Sequence, residues 1–409
     1  MVPRMYRLCR AGPAWAQFSR TILRRKSSNV GEDARQLVAV PEERFHELVA
    51  AEVSFLATVP VQPVSMQQIV TWCDTRDMVP FIQTEIPKRF ALRIRLIETL
   101  EGWQEIPELA KLHQRLTRWY RELVLLNYST QDSKHLIKTL KAIRDEGRDV
   151  IGVSASGIYK LHKMKQQDTK FLDRWLDGFL LSRIGTNALF DQFVAIASKQ
   201  DGGLGRPTGI TDPRCNASKV CEHAAQMSAY LCYQRFGHEP KYTVEDFKAG
   251  EMGPQAKPCL FSYIPSYLRY IMCELLKNSF RATLMTSSSV DDISKRPVRI
   301  RVCRDEHRVA ILVSDEAGGI PFEVGDRIWS YMYGTAAKQG SSSLNIDEED
   351  SLSGYGVGLP CARLYARYLG GNLSLTSYPG YGTQAHLLLP RIDSEQVEEV
   401  PETSFHDPI

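Results

Sequence analysis

Glu274-Leu-Leu-Lys-Asn-Ser-Phe-Arg-Ala282 is the stretch whose reading decides the fold of this chain. It lies in a predicted helix over about 264–286, and Glu274, Asn278 and Arg281 fall at i, i+4 and i+7, so the three share one helical face. A carboxylate, an amide oxygen and a guanidinium on one face are expensive to bury without a ligand. The plainer alternative is the polar outer face of an amphipathic helix. Asn278 can give a hard oxygen ligand to Mg²⁺, an ion that usually keeps several waters and substrate phosphates. Glu274 can orient or deprotonate a hydroxyl, and Lys277 or Arg281 can reach a phosphate.

Three later pieces belong with it. Asp315-Glu-Ala-Gly-Gly-Ile320 follows a predicted strand. A carboxylate at a strand end, backed by glycines such as Gly319, can accept a bond from an adenine amino group while the backbone closes over the base. Gly354-Tyr-Gly-Val-Gly-Leu-Pro360 leads into a helix over about 358–369, where free backbone N–H groups and the helix dipole favour an anion. Its G-x-G-x-G spacing is not the dinucleotide-binding fingerprint. Gly382-Thr383 opens the last strand.

Around these pieces the chain has two textures. Residues 45–200 carry helical stripes: Phe90, Ile94 and Ile97; Leu116, Trp119, Leu123 and Leu126; Phe171, Trp175 and Phe179. Such stripes face a bundle core. The glycine- and proline-rich segment 201–213 reads as the hinge region. Beyond it, Val298, Ile300 and Val302 alternate, and Val309-Ala-Ile-Leu-Val313 follows the turn-like Arg304-Asp-Glu-His307, which predicts a hairpin. Leu373–Thr376 and Ala385–Leu389 predict two more strands around Tyr378-Pro-Gly-Tyr-Gly-Thr383. The second half is therefore expected to be a mixed sheet with helices on one face.

Composition agrees with a globular protein of two domains: 409 residues, 43% hydrophobic and 24% charged. The longest apolar runs fall short of a membrane span. Nine scattered cysteines, with no C-x-x-C pair, make neither a disulfide framework nor a zinc site. The formal charge of +3 comes from the head: seven arginines and lysines precede the first acid, Glu32, and the rest of the chain holds 44 basic against 48 acidic residues. No nucleic-acid partner is expected from such a balance. The head itself interleaves arginine with Met5, Trp15, Phe18, Ile22 and hydroxyls, the composition of an organellar transit peptide.

In this order and spacing, the four pieces resemble the N, G1, G2 and G3 boxes of the nucleotide-binding fold shared by gyrase B, Hsp90, histidine kinases and MutL. Between G1 and G2, residues 338–353 have the glycine- and serine-rich composition of a mobile cover over ATP. Glu274–Thr283, Ser330-Tyr-Met-Tyr-Gly-Thr-Ala336, and Gly354–Pro360 with Arg363-Leu-Tyr-Ala-Arg-Tyr368 closely resemble the mitochondrial protein kinases, the pyruvate dehydrogenase kinases and branched-chain 2-oxoacid dehydrogenase kinase. Phe81-Ile, Glu85-Ile-Pro-Lys-Arg89 and Leu176–Ile184 extend the resemblance to the helical half, over roughly residues 45–392.

The resemblance implies an α+β chain: an N-terminal all-α helix bundle followed by a GHKL (Bergerat-type) α/β sandwich that binds ATP. It sets expected boundaries of 1–30 for a mitochondrial transit peptide, 31–205 for the bundle that docks a lipoyl domain and E1, 206–392 for the ATP-binding kinase domain, and 393–409 for a flexible acidic tail. It implies phosphorylation and inactivation of the E1α subunit of the pyruvate dehydrogenase complex in the mitochondrial matrix, docking on the E2 lipoyl domain, and a homodimer. Glu274 becomes the general base and Asn278 the Mg²⁺ ligand. Lys277, Arg281, Asp315, Gly319, Gly334, Thr335, Gly354, Tyr355, Gly356, Val357, Gly358, Leu359 and Thr383 line the nucleotide, and backbone carbonyls around Ile328–Tyr333 offer a site for K⁺.

Two positions depart from the pattern. Ala317 stands where the usual G1 box has its first glycine; a need for positive φ there would weaken nucleotide binding. Tyr270 stands four residues before Glu274, as in the branched-chain type, where pyruvate-type kinases usually have histidine; a tyrosine can hydrogen-bond the carboxylate. The alternatives are a branched-chain kinase and a catalytically weak regulator that occupies the lipoyl domain. A histidine kinase would need an acceptor histidine where Ser182–Phe193 has none, and a gyrase-like ATPase a basic transducer domain, which is not visible.

Overall fold

The computed structural model describes residues 41–72, 74–126, 133–200, 209–251, 253–254, 258–333, 357–391 and 397–401. The arginine-rich head, residues 201–208 of the hinge region, and the stretch 334–356 with Gly334, Thr335, Gly354, Tyr355 and Gly356 lie outside the described residues.

Among the described residues, seven α-helices build the first half: α1 (Glu42–Leu56), α2 (Met66–Thr71), α3 (Thr75–Glu98), α4 (Pro107–Val124), α5 (Ser133–Glu146), α6 (Val150–Lys165) and α7 (Thr169–Gln200). The expected stripes form their shared core: Phe90, Ile94, Ile97, Leu116, Trp119, Leu123, Trp175 and Phe179 are all buried. Each such side chain contributes roughly 1.5–3 kcal/mol on leaving water. Phe171 departs from the expectation, for it is 41% exposed. It lies in the first turn of α7, one turn before the helix meets α3, where the Trp175 indole N–H donates to the Leu96 carbonyl at 2.9 Å.

The second half runs β1 (Asp212–Asn216), α8 (Ala217–Phe236), β2 (Tyr242–Lys248), β3 (Leu260–Tyr263), α9 (Pro265–Thr286), α10 (Val290–Lys295), β4 (Val298–Arg304), β5 (Arg308–Asp315), α11 (Gly358–Tyr368), β6 (Asn372–Tyr378) and β7 (Gly382–Pro390). Five strands form a mixed sheet in the order β2-β4-β5-β7-β6, with β2 and β4 parallel and the other neighbours antiparallel. The predicted hairpins are β4–β5, which pairs Ile300 with Val313, and β6–β7, which pairs Tyr378 with Gly382. Val298, Ile300, Val302, Val309, Ile311 and Val313 alternate into the face covered by α8, α9 and α11. This is the helical region followed by a mixed-sheet α/β domain that the sequence leads one to expect.

Residues 397–401 are bound into the seam between the halves. Residues 393–409 read as a loose acidic tail, but 397–401 are anchored. Val397 bridges to Ser65, the Glu398 N–H donates to the Val64 carbonyl at 2.9 Å, and the Val64 N–H donates to Glu398 Oε1 at 2.9 Å. The Glu398 side chain is fully buried, and both its oxygens meet the Arg89 guanidinium of α3. The Tyr368 hydroxyl, at the end of α11, donates to Glu398 Oε2 at 2.8 Å. Burial acts to lower the Arg89 pKa, but the Glu398 carboxylate outweighs it and holds the guanidinium above its ordinary value. Gly185 of α7 leaves the room: a Cβ there would lie 2.7 Å from Glu398 Oε2. The buried pair explains why acidic composition alone misplaces this segment.

Glu398→Ala strips a fully buried guanidinium and a buried phenol of their partner, so it should destabilise the protein by about 3–5 kcal/mol in chemical denaturation. A loss within about 0.5 kcal/mol, the range of an ordinary surface change, would mean that the strap is not bound as described.

Candidate active site

Helix α9 begins with proline in its first turn and buries Leu268, Ile271, Met272, Leu275, Leu276 and Phe280. That burial turns Glu274, Lys277, Asn278 and Arg281 toward the opposite side. Glu274, Lys277 and Arg281 are half-buried and Asn278 is exposed. The Lys277 ammonium donates to Glu274 Oε1 at 2.6 Å, and the two side chains are 19% and 17% exposed. Lys277, read from the sequence as able to reach phosphate, is thus occupied by the carboxylate one turn before it.

The other Glu274 oxygen fixes a close approach to α11. A Cβ on Gly358 would collide with Glu274 Oε2 and lie 3.0 Å from Glu274 Cδ. A side chain there would displace the end of the Glu274 side chain, and the carboxylate lies on the first turn of α11, where the helix dipole favours negative charge. Val357, just before it, is buried, while Leu359 is half-buried. Tyr270, one turn before Glu274, packs against Tyr365 with ring centres 4.6 Å apart and ring planes tilted by 46°. Its hydroxyl is hydrogen-bonded to Cys361 of α11, and burial pushes its pKa well above the ordinary value. It packs the two helices together in place of bonding the carboxylate.

Asp315 closes β5 and is 6% exposed. The Ser279 hydroxyl of α9 donates to its Oδ2 at 2.8 Å, and the N–H groups of Ala317 and Thr383 donate to its Oδ1 at 3.2 and 3.3 Å. Burial pushes its pKa up, while those three donors pull it down without cancelling the rise. A carboxylate has about four acceptor sites, so one on Oδ2 is open to a further donor such as an amino group. Ser279 is the site residue that sequence reasoning missed. It stands next to Asn278, but its partner is 36 residues away, and no local pattern marks it.

The glycines after Asp315 thread two turns through each other. Gly318 and Gly319 have φ of +84° and +71°. A Cβ at Gly319 would strike the Tyr378 carbonyl and lie 3.1 Å from the Gly382 carbonyl. The Gly318 N–H donates to the Tyr381 carbonyl at 3.1 Å and the Gly380 N–H to the Gly318 carbonyl at 2.8 Å. Ala317 is outside this requirement, because Gln166 is the one non-glycine with positive φ among the described residues. The alanine therefore introduces no backbone strain.

Along α9, Glu274 and Ser279 are separated by about 7.5 Å of helical rise. One helix thus sets a carboxylate against α11, an exposed amide, and the hydroxyl that holds Asp315. Among the described residues no cluster of three or more His, Cys, Asp or Glu side chains could hold a metal. Asn278 is exposed and shows no hydrogen bond to another described residue, which suits a cation completed by waters and phosphates rather than a protein cage.

The sheet, the glycine-threaded turn and the α9 face define an ATPase domain of the gyrase B and Hsp90 type. Residues 264–393 match the family model described as histidine kinase-, DNA gyrase B-, and HSP90-like ATPase, and residues 63–219 match the model described as mitochondrial branched-chain alpha-ketoacid dehydrogenase kinase. The chain is 30% identical over 380 residues to [pyruvate dehydrogenase (acetyl-transferring)] kinase isozyme 4, mitochondrial, of Ictidomys tridecemlineatus and 31% identical to that of Rhinolophus ferrumequinum, covering 87% of each chain in both cases. It is 29% identical over 359 residues to the mitochondrial [pyruvate dehydrogenase (acetyl-transferring)] kinase of Drosophila melanogaster, over 83% of this chain and 84% of the relative. The chain belongs to the family of mitochondrial pyruvate dehydrogenase and branched-chain 2-oxoacid dehydrogenase kinases. Membership makes it a protein kinase of that type and a user of ATP.

Ser279→Ala removes a donor that lowers the Asp315 pKa, so that pKa should rise further above the ordinary carboxylate value. Carboxyl NMR of labelled aspartate reads the change, and an unmoved titration would contradict the bond.

Proposed function

We propose that this chain is an ATP-dependent serine kinase of the mitochondrial matrix that phosphorylates the E1α subunit of the pyruvate dehydrogenase complex and inactivates it. The observation that carries this reading is the Glu274 carboxylate, held by Lys277 and the first turn of α11 on the same helix as Asn278 and Ser279.

In this reading the adenine amino group donates to the open site on Asp315, beside Thr383. The triphosphate extends along α9 toward Asn278 and the start of α11, with Arg281 beside it and Gly319 letting the backbone come close. Gly334, Thr335 and Gly354 to Leu359 complete the phosphate side. Mg²⁺, with the Asn278 oxygen as its protein ligand, would neutralise phosphate charge. Glu274 orients the serine hydroxyl and accepts its proton as the serine oxygen bonds to the γ-phosphorus and the bond to the ADP oxygen breaks. Lys277 holds the carboxylate in place through that step. Positioning and charge stabilisation supply most of what phosphoryl transfer needs. K⁺ would sit on carbonyls around Ile328–Tyr333; that of Ser330 is already taken by the Tyr333 N–H. The helical half docks the lipoyl domain of E2, and two copies associate as a homodimer.

A second reading, a kinase of the branched-chain 2-oxoacid dehydrogenase, is favoured by the model that matches residues 63–219 and by Tyr270 before Glu274. The relatives named pyruvate dehydrogenase kinases across most of the chain support the first. A catalytically weak regulator loses its sequence support, because Ala317 meets no strain.

Incubation with ATP and each purified complex in turn, followed by phosphate analysis of both E1α subunits, separates these readings. We expect label on the pyruvate enzyme; label on the branched-chain E1α alone would favour the second reading, and label on neither would end both. Glu274→Gln should lower kcat by about 10²–10⁴-fold, the usual share of a general base, with ADP affinity little changed. Gly358→Ala, which drives a methyl group into the carboxylate, should lower kcat at least tenfold while ADP titration by calorimetry stays within a few-fold. Equal loss of ADP binding in that variant would place Gly358 in nucleotide contact instead.

A further inference from the structure

Two aspartates of the helical half reach into the nucleotide half. Asp173 and Asp177 lie one turn apart on α7, on one face. Asp173 accepts the Tyr331 N–H at 3.0 Å and the Ser330 hydroxyl. Asp177 accepts the Tyr331 hydroxyl at 2.8 Å and lies 3.5 Å from the Arg367 guanidinium of α11. Tyr331 is 2% exposed, so both of its polar groups are handed to one helix.

The surroundings of that phenol lead to the site. Its electrostatic neighbours are Cys361, Asp177 and Tyr270. Cys361 lies in the first turn of α11, three residues after Gly358, and is bonded to Tyr270. Tyr270 precedes Glu274 by one turn of α9. Two residues before Tyr331, the Trp329 ring lies under the Arg363 guanidinium of α11 at 4.5 Å, so the set Asp177, Tyr331, Cys361 and Tyr270 runs from α7 to the two helices that meet where Glu274 lies beside Gly358.

Asp173 and Asp177 are half-buried, the Asp177 side chain being 38% exposed, and ion pairs of such carboxylates add little stability by themselves. A fully satisfied polar network instead selects one arrangement of the elements it joins. Here the arrangement selected is the set of α11 against α9, where a shift of about 1 Å costs roughly 10²-fold in rate.

We propose that Tyr331 and Asp177 are positioning residues for phosphoryl transfer: the helical half grips Tyr331, and Tyr331 sets the helices that hold Glu274. This rests on the kinase reading above. Neither residue touches nucleotide or substrate serine in this account; both act through Tyr270, Cys361 and α11.

The test compares the full-length wild type, Tyr331→Phe, Asp177→Asn and the double variant with the E1α on which the wild type acts. Tyr331→Phe keeps the ring and drops one hydroxyl. We expect kcat to fall about tenfold in each single variant, the KM for ATP and the affinity for ADP to stay within twofold, and melting temperatures to move by only a few degrees. The double variant should be no slower than the slower single one, because both substitutions act on the same Tyr331–Asp177 contact, one removing its donor and the other the charge of its acceptor. Wild-type activity in Tyr331→Phe overturns the proposal while the kinase reading stands. So does a loss of kcat matched by a loss of ADP binding and a large drop in melting temperature, which marks a structural role. Additive effects in the double variant overturn the shared path. If Asp177→Asn fails to fold, Tyr331→Phe alone decides on the same readouts. A wild type that phosphorylates neither E1α removes the kinase reading, and this proposal with it.

Discussion

The contact between Glu274 and Gly358 governs the geometry of the nucleotide half. A carboxylate oxygen occupies the place where a side chain on Gly358 would stand, so the absence of that side chain lets the Glu274 carboxylate of α9 lie against the first turn of α11. α9 carries Asn278 and Ser279 beyond Glu274, and Ser279 passes the position of the helix on to Asp315 at the end of β5. The opposite end of α11 is Tyr368, whose hydroxyl meets Glu398 and through it Arg89 of the helical half. A helix of 11 residues, about 16 Å long, thus has the candidate catalytic carboxylate at one end and the interdomain ion pair at the other. Neither end can shift without stressing the other, because cores and close contacts are not freely deformable.

Asp315 shows a different balance. Burial disfavours its charge, and three donors restore part of what burial removes. The result is a carboxylate whose acceptor sites are almost filled by the protein itself. A group that bonds the remaining one must be a donor and must fit between turns drawn together by Gly319 and Gly382. In the reading proposed above, an amino-bearing base is the donor that meets this requirement.

Legibility in the sequence follows the range of the interaction. Helix α9 was expected over about 264–286 and runs over 265–286, because its signal is a local period. Both hairpins were readable for the same reason, as was the shared face of Glu274, Asn278 and Arg281. The structure adds partners that lie far along the chain. Ser279 needs β5 to be recognised, and Glu398 needs Arg89, 309 residues earlier. An acidic residue near the end of a chain reads as solvated until the cation that buries it is known. Phe171 fails in the opposite sense: the period of four is real, but the bundle does not extend to the first turn of α7. The alanine in the G1 box could be judged only with the backbone in hand, since the strain depends on φ and not on the motif.

Two polar seams now constrain how the helical half can influence the site. One runs from Arg89 through Glu398 to Tyr368; the other from Asp173 and Asp177 to Tyr331, with Arg367 bridging Asp177 and Glu399. A partner that binds the helical bundle alters transfer only to the extent that it prefers one arrangement of α3 or α7 against α11, for a ligand with equal affinity for both arrangements shifts nothing. Both seams end on α11, and α11 ends on Glu274. Coupling between the halves therefore has a short physical route: a change in the tilt of α7 that strains the Tyr331 bonds, or one in α3 that strains Arg89, reaches α11, whose first turn lies against the Glu274 carboxylate.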